Sequence, residues 1–190
     1  MRMILGSASP RRKQILRDLG YEFEIVIPDI NEKAIRDDDP ARLVLALANA
    51  KADAVISKID EAAIVITSDQ VVSFEDKIIE KPLDLADARS MLKSYENKFV
   101  ETVTSVVVTN SKTNERYSGV DITKVHFKNF SDEALNKILQ SQEVDVLDRA
   151  GGFSVEHPLI SPYIAKIEGE LESIQGLPKK LTIKLLSQIK

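Results

Sequence analysis

Neither cysteine nor tryptophan occurs in this chain of 190 residues. Without cysteine there is no disulfide scaffold and no thiolate-ligated zinc, and a reducing compartment such as the cytoplasm fits. Histidine is scarce as well. The two present, His126 and His157, share no metal-ligand spacing, so neither a zinc centre nor a Ser-His-Asp triad is supported and both are assigned structural roles. Long apolar runs are missing: the opening "MRMILGSASPRR" holds a three-residue apolar run before small and basic residues, too short for a signal-peptide core. No run approaches membrane-spanning length. A basic excess is also lacking, since 26 basic against 30 acidic residues leave a net charge of −4. That balance, with no series of stacking aromatics, excludes a broad nucleic-acid surface. Any polyanion bound here must be small and held by a local basic cluster.

What is present reads as one domain over residues 1–190, with enough apolar residues for a sizeable core and no repeat, low-complexity tract or flexible linker. "MRMIL" is a short buried strand broken by "GSASP". Ser9 and Pro10 then open a helix to about Leu19, which Gly20 stops. "FEIVIP" is a strand ending at Pro28, and "DINEKAIRDDD" is polar and irregular. Asp39 and Pro40 start a helix over 40–57, with Leu43, Leu47, Ala50 and Ala54 on one face. "AAIVITSD" is a central-type strand, and "VVSFEDKIIEKP" a hairpin with Glu75-Asp76-Lys77 at its turn. Asp84 caps a helix over 85–95, and "FVETVTSVVVTN" and "RYSGVDITKVHF" are two long strands joined by "SKTNE". A helix after Ser131, a loop-rich stretch "DRAGGFSVEHPLISPYIAKIEG" and a closing helix in "GLPKKLTIKLLSQIK" complete the chain. The fold class is α/β or α+β with a mixed sheet; no clean βαβ repeat is read, which speaks against a Rossmann fold.

Six places along the chain carry candidate chemistry. In "GSASPRR" a strand, a small-residue turn and a helix start bring backbone N–H groups to a helix N-terminus, where anions are stabilised. Ser7 and Ser9 add hydroxyls, and Arg11 and Arg12 add guanidinium forks suited to phosphate. The plain alternative is a capped helix with two solvated arginines. At the end of the strand "VITSDQVV", Asp69 is either a turn-capping aspartate or a carboxylate that holds a metal or takes a proton from water. Lys81, before Pro82, is a surface lysine or a phosphate ligand. Glu32 lies in the polar loop, and Lys51 flanks the apolar stripe of its helix or snorkels to water. Gly151 and Gly152 mark a tight turn or a close backbone approach to a ligand.

Taken together and in this order, "ILGSASPRRKQIL", Glu32, Lys51, "VITSDQVV", "EKP", "ADARSMLKSY", "AGGFSVEHPLI" and "IQGLPKKL" resemble the Maf family of nucleoside triphosphate pyrophosphatases. The resemblance spans residues 4–186. It implies an elongated mixed twisted sheet flanked by helices with a central cleft, similar to inosine triphosphate pyrophosphatases. It also implies hydrolysis of a nucleoside triphosphate to monophosphate and pyrophosphate with a divalent metal (Mg²⁺, Mn²⁺ or Co²⁺), in a homodimer. Asp69 matches the family's proposed catalytic base, and Ser7, Arg11, Arg12, Glu32, Lys51 and Lys81 match its other polar cleft positions. Glu32 and Asp69 are the expected metal ligands. Members similar to the dTTP/UTP enzymes carry Thr after the Asp and Gln in the later segment. This chain has Gln70 and Glu156, a combination resembling the 7-methyl-GTP branch. A carboxylate there compensates the positive ring of N7-methylguanine and accepts its N–H donors. The chain departs from the common pattern at Gly6, where Ala is commoner, at Thr67-Ser68, which replaces Gly-Ala, and at Glu80, which replaces Gly. The alternatives to a 7-methyl-GTP enzyme are a dTTP/UTP-type pyrophosphatase and a nucleotide-binding regulator of cell division with little catalysis.

Overall fold

Strand β1 (Arg2–Leu5) and helix α1 (Pro10–Asp18) follow the punctuation of the sequence. Ser9 accepts a hydrogen bond from the Arg12 N–H at 3.4 Å, Pro10 fills the first helical position, and Gly20 takes the left-handed conformation (φ 83°) past the helix end. The same logic places α2 (Pro40–Ile56), where the Asp39 carboxylate accepts from the N–H groups of Ala41 and Arg42 at 2.8 and 3.0 Å. Between them lie a two-residue strand, β2 (Glu24–Ile25), and a 3-10 turn at Glu32–Ala34. Then follow β3 (Ala63–Phe74), β4 (Lys77–Ile79), α3 (Leu85–Ser94), β5 (Phe99–Asn110), β6 (Arg116–Phe127), α4 (Asp132–Gln140), β7 (Ile164–Glu168), α5 (Leu171–Ile174) and α6 (Lys179–Gln188). In this computed structural model residues 1–141 and 146–189 are described.

All seven strands belong to one mixed sheet in the order β2-β1-β3-β5-β6-β7, with β4 paired to β3. Beginning at the N-terminus, β1 pairs in parallel with both β2 and β3, Leu5 standing opposite Ile25 on one side and Ile66 on the other. With α1 and α2 as the crossovers, residues 2–74 therefore form a βαβαβ unit. This corrects the reading that no βαβ repeat exists: β2 keeps only two of the residues of "FEIVIP" in register, too short a signal to reveal a parallel edge strand. The β3–β4 hairpin turns through Glu75 and Asp76, both left-handed (φ 49° and 62°), as a tight two-residue hairpin requires.

The chain divides into two compact units: one made of Met1–Gln70, Val103–Ile122 and the stretch from Glu170 on, the other of Val71–Thr102 and Thr123–Gly169. In the first unit β3 is covered on both faces, and its residues alternate between two cores, as pleating dictates. Ile64 and Ile66 join Leu5, Ile15, Leu16, Val106, Val108, Leu177 and Leu185 on one side. Ala63 and Val65 pack with Ile4 and Val55 on the other, the side of α2, where Ala48 and Ala52 meet Val107. A side chain at position 6 has no room: a Cβ there would lie 2.6 Å from Thr67 Cγ2 and 2.9 Å from Val55 Cγ2. The Thr67 methyl thus occupies the volume that Ala would fill.

The second unit gathers seven of the ten aromatic residues. Tyr95 is its centre, edge-on to Phe74 (5.0 Å), stacked with Phe127 (5.6 Å) and edge-on to Phe153 (6.2 Å). Its hydroxyl donates to the Gly151 carbonyl at 3.2 Å, and burial raises its pKa well above the ordinary phenol value. Gly151 and Gly152 are left-handed (φ 71° and 70°), so they serve a tight turn. His157 Nδ1 accepts from the Leu159 N–H at 3.1 Å, and His126 lies against Phe99 (5.3 Å between ring centroids).

Candidate functional site

Gly6 N–H donates to the Ile66 carbonyl at 2.8 Å, and β1 pairs no further, while β3 runs on to Phe74. Just past Ile66, β3 has therefore lost β1 as a neighbour on that edge, where order β2-β1-β3 makes the chain leave β1 in opposite directions. In open α/β sheets ligands bind at such a switch point, beyond the carboxyl ends of the strands. A pocket of about 230 Å³ lies there, lined by Gly6, Ser7, Ala8, Ser9, Arg12, Ile27, Pro28, Glu32 and Lys51.

Asp69 stands behind this pocket, 7% exposed, on the α2 side of β3. Lys51 reaches it from α2 and contacts the Asp69 Oδ1 directly, while its Nζ also lies 2.9 Å from Glu32 Oε1. One ammonium thus bridges the two carboxylates. Burial raises the Asp69 pKa above the ordinary carboxylate value, opposed by the pull of Lys51 and Arg12 and assisted by Glu32. Lys51 is itself 8% exposed. It sits within the buried stripe of α2 (Leu43, Leu47, Lys51, Val55), not beside the expected Leu43–Leu47–Ala50–Ala54 stripe. Its charge is tolerated inside because both partners are anionic.

Arg12 projects from the first turn of α1 and is fixed at two points. Its Nη1 donates to the Ser68 carbonyl at 2.7 Å, on the edge β1 has vacated, and its Nε donates to the Gly176 carbonyl at 2.8 Å. Burial lowers the pKa of the guanidinium, with Asp69 and Glu32 working against that. Ser7 is buried, and its Oγ accepts from the Ser9 N–H at 3.2 Å. Arg11 lies half-buried on α1 and does not line the pocket.

Gln70 is in the same unit, one residue past Asp69 and therefore on the opposite face of β3. Its amide nitrogen donates to Thr104 Oγ1 (2.8 Å), the Ser173 carbonyl (2.6 Å) and the Ile174 carbonyl (3.2 Å). Lys81 and Glu156 belong to the second unit. There Lys81 contacts Asp148, both exposed, and Glu156 is exposed on the segment after Gly152. The first unit thus brings together Ser7, Arg12, Glu32, Lys51 and Asp69, and sets Gln70 on the far side of the strand that carries Asp69.

Four supporting residues had no role in the sequence reading. Thr67 Oγ1 donates to the Ala48 carbonyl at 2.7 Å, and Ser105 Oγ, which accepts from the Asp69 N–H at 3.2 Å, donates to the Val44 carbonyl at 2.7 Å. Both fasten β3 or β5 to α2. Ser68 Oγ donates to the Gly176 carbonyl at 2.7 Å, and Thr104 Oγ1 donates to the Ser173 carbonyl at 3.1 Å. A run of small hydroxyl residues inside strands otherwise made of valine and isoleucine was the available signal.

The donor set can be tested against a divalent cation. Among the described residues no group of three or more His, Asp or Glu is arranged to hold one. Two carboxylates, however, already converge on a single positive charge. Magnesium is commonly held by one or two carboxylates with substrate phosphates and waters completing the shell, so Glu32 and Asp69 fit.

Comparisons with known proteins follow the same line. A family profile described as Maf-like protein matches residues 2–189. The chain is 45% identical to the 7-methyl-GTP pyrophosphatase of Dictyostelium discoideum over 194 aligned positions, 98% of this chain and 96% of that one. It is 35% identical to the dTTP/UTP pyrophosphatase of Vibrio vulnificus (strain YJ016) over 187 positions, 98% of each chain. Among solved structures, a HAM1 protein from Coxiella burnetii aligns with a TM-score of 0.50 at 10% identity, over 99% of this chain and 97% of that one. That last likeness concerns the fold alone.

Proposed function

The chain belongs to the Maf family, and on that premise we propose that it is a nucleoside triphosphate pyrophosphatase acting on 7-methyl-GTP. The observation that carries the reading is Lys51 bridging Glu32 and Asp69 beside a pocket formed by the start of α1 and Arg12. Release of pyrophosphate demands positioning and charge neutralisation more than covalent chemistry by the protein. Ser7, the N–H groups at the head of α1 and Arg12 bind phosphate oxygens. Arg12 has three of its five N–H bonds left once Ser68 and Gly176 are served. Lys51 keeps one of its three N–H bonds for a phosphate. Asp69, with a pKa raised by burial, holds and deprotonates the water that attacks the α-phosphorus. Glu32 and Asp69 would hold a magnesium or manganese ion, which would supply neutralisation of phosphate charge and a more acidic bound water.

The preference for 7-methyl-GTP is supported by the 45% identity to an enzyme of that name and by Glu156, whose carboxylate suits a cationic purine. The test is a panel of triphosphates incubated with the purified protein and Mg²⁺ or Mn²⁺, assayed for pyrophosphate. 7-Methyl-GTP is expected to be turned over best. Efficient turnover of UTP or dTTP without 7-methyl-GTP would place the chain with the dTTP/UTP enzymes instead.

A further inference from the structure

Thr67 and Asp69 are two apart on β3 and therefore share the face turned to α2. Each meets that helix: Thr67 Oγ1 donates to the Ala48 carbonyl at 2.7 Å, and the Asp69 carboxylate receives Lys51. A third tie comes from β5. Ser105 Oγ donates to the Val44 carbonyl at 2.7 Å and accepts from the Asp69 N–H at 3.2 Å, so one hydroxyl joins the main chain of Asp69 to that of α2. Val44, Ala48 and Lys51 follow one another at spacings of four and three, along the buried stripe of the helix. Thr67 and Ser105 are both fully buried. A strand facing a helix needs only apolar contact at such places; a buried hydroxyl adds a fixed direction. The Thr67 rotamer is set by Gly6. Its Cγ2 lies 2.6 Å from where a Cβ at 6 would stand, so the methyl lodges against bare backbone while Oγ1 turns to α2. Where the common pattern of the family has Gly at 67, there is no hydroxyl to make this tie.

We propose that Thr67 and Ser105 are positioning residues for the hydrolysis: their hydroxyls fix the axial setting of α2 against β3, so that the Lys51 ammonium meets the Asp69 carboxylate. The inference rests on the pyrophosphatase reading given above. Apolar packing is non-directional and lets a helix slip along its axis. Two carbonyls held one turn apart oppose that slip, and Lys51, three residues past Ala48, would carry any slip to the acidic pair. A misplacement of about 1 Å can cost as much as 10²-fold in rate.

The experiment separates the hydroxyl from the volume it occupies. Thr67→Val keeps a methyl against Gly6 and removes only the hydroxyl, Thr67→Ser keeps the hydroxyl, and Ser105→Ala removes the second tie. Each is made alone and combined with Lys51→Met. Two quantities are read: kcat and KM for pyrophosphate release from the triphosphate turned over best in the panel above, and the Lys51 ammonium signal in nitrogen NMR of the metal-free protein, identified by its absence in Lys51→Met. Thr67→Val and Ser105→Ala are each expected to lower kcat about three- to thirtyfold with KM within about twofold, and to shift or broaden the Lys51 signal. Thr67→Ser is expected to stay within about threefold of wild type and to keep the signal. In the Lys51→Met background the Val and Ala substitutions are expected to add less than about twofold. Unchanged kcat in either folded variant, a loss in KM alone, equal losses in Thr67→Val and Thr67→Ser, a full additional loss without Lys51, or an undisturbed Lys51 signal overturns the proposal. If one variant unfolds, the other decides; unfolding of both assigns the hydroxyls a purely structural role and overturns it as well. Should the wild type release pyrophosphate from no triphosphate, the pyrophosphatase reading falls, while the Lys51 signal still decides whether the two hydroxyls set Lys51 on Asp69.

Discussion

Lys51 places a full positive charge in the buried stripe of a helix and shares it between Asp69 and Glu32. Removing one partner of a buried ion pair leaves the other uncompensated, so Lys51→Met is expected to cost about 3 kcal/mol in urea unfolding with chelator present. The same substitution frees both carboxylates. Added magnesium should therefore raise the melting temperature of Lys51→Met more than that of the wild type, in which the ammonium competes for the same oxygens. Asp69→Asn should lower kcat for pyrophosphate release by about 10²–10⁴-fold, the range of a lost general base, with the fold retained by circular dichroism. Asp69 also carries a pH signature. Its folded pKa is raised above the ordinary 3.8, chiefly by burial, so the folded state binds the proton more readily than the unfolded one. Stability of the metal-free protein should fall as pH rises from 3.8 through the elevated folded value, and Asp69→Asn should remove that component. Comparing the urea midpoints of the two proteins across pH measures it; an opposite slope would mean that Lys51 and Arg12 outweigh burial.

At the scale of elements, the site exists because β1 stops at Leu5 while β3 continues. The vacated edge gives Arg12 a backbone carbonyl to grip, at Ser68. Gly6 lies at that boundary. Gly6→Ala is expected to destabilise by about 1–3 kcal/mol through overpacking against Thr67 and Val55, and Thr67→Gly in the same chain should recover part of the loss, measured by thermal unfolding. Recovery is partial because Thr67 also gives up its bond to Ala48. The elements with strong local signals were legible: β5 and β6 match "FVETVTSVVVTN" and "RYSGVDITKVHF", and the caps at Ser9, Asp39, Asp84 and Ser131 hold as read. Those missed are short. α5 has four residues, less than any helical period can betray, and β7 is a half-exposed strand in which "IAKIE" shows little alternation.

For the molecule as a whole, the acidic balance makes a clear statement about partners. With a net charge of −4 and Lys51 held in ion pairs at the candidate site, single-stranded RNA is not expected to bind at physiological salt. Fluorescence anisotropy with a labelled oligonucleotide checks this, and salt-sensitive binding would contradict it. The residue types of the site were legible from their order along the chain, and their arrangement was not. Gln70 was read with Glu156 as the mark of the 7-methyl-GTP branch; its side chain lies on the face of β3 opposite Asp69, with the amide nitrogen on the Ser173 and Ile174 carbonyls, a placement that adjacency in sequence does not convey. Ser68 stood without a role because its partner is Gly176, 108 residues away. No local pattern announces such a pairing. The contact between position 6 and Thr67 also couples two positions far apart in the sequence. With alanine at 6, a β-branched residue at 67 has nowhere to put its methyl; with glycine at 6, it does. Threonine at 67 therefore goes with glycine at 6, and the two departures from the common family pattern at these positions form one steric unit.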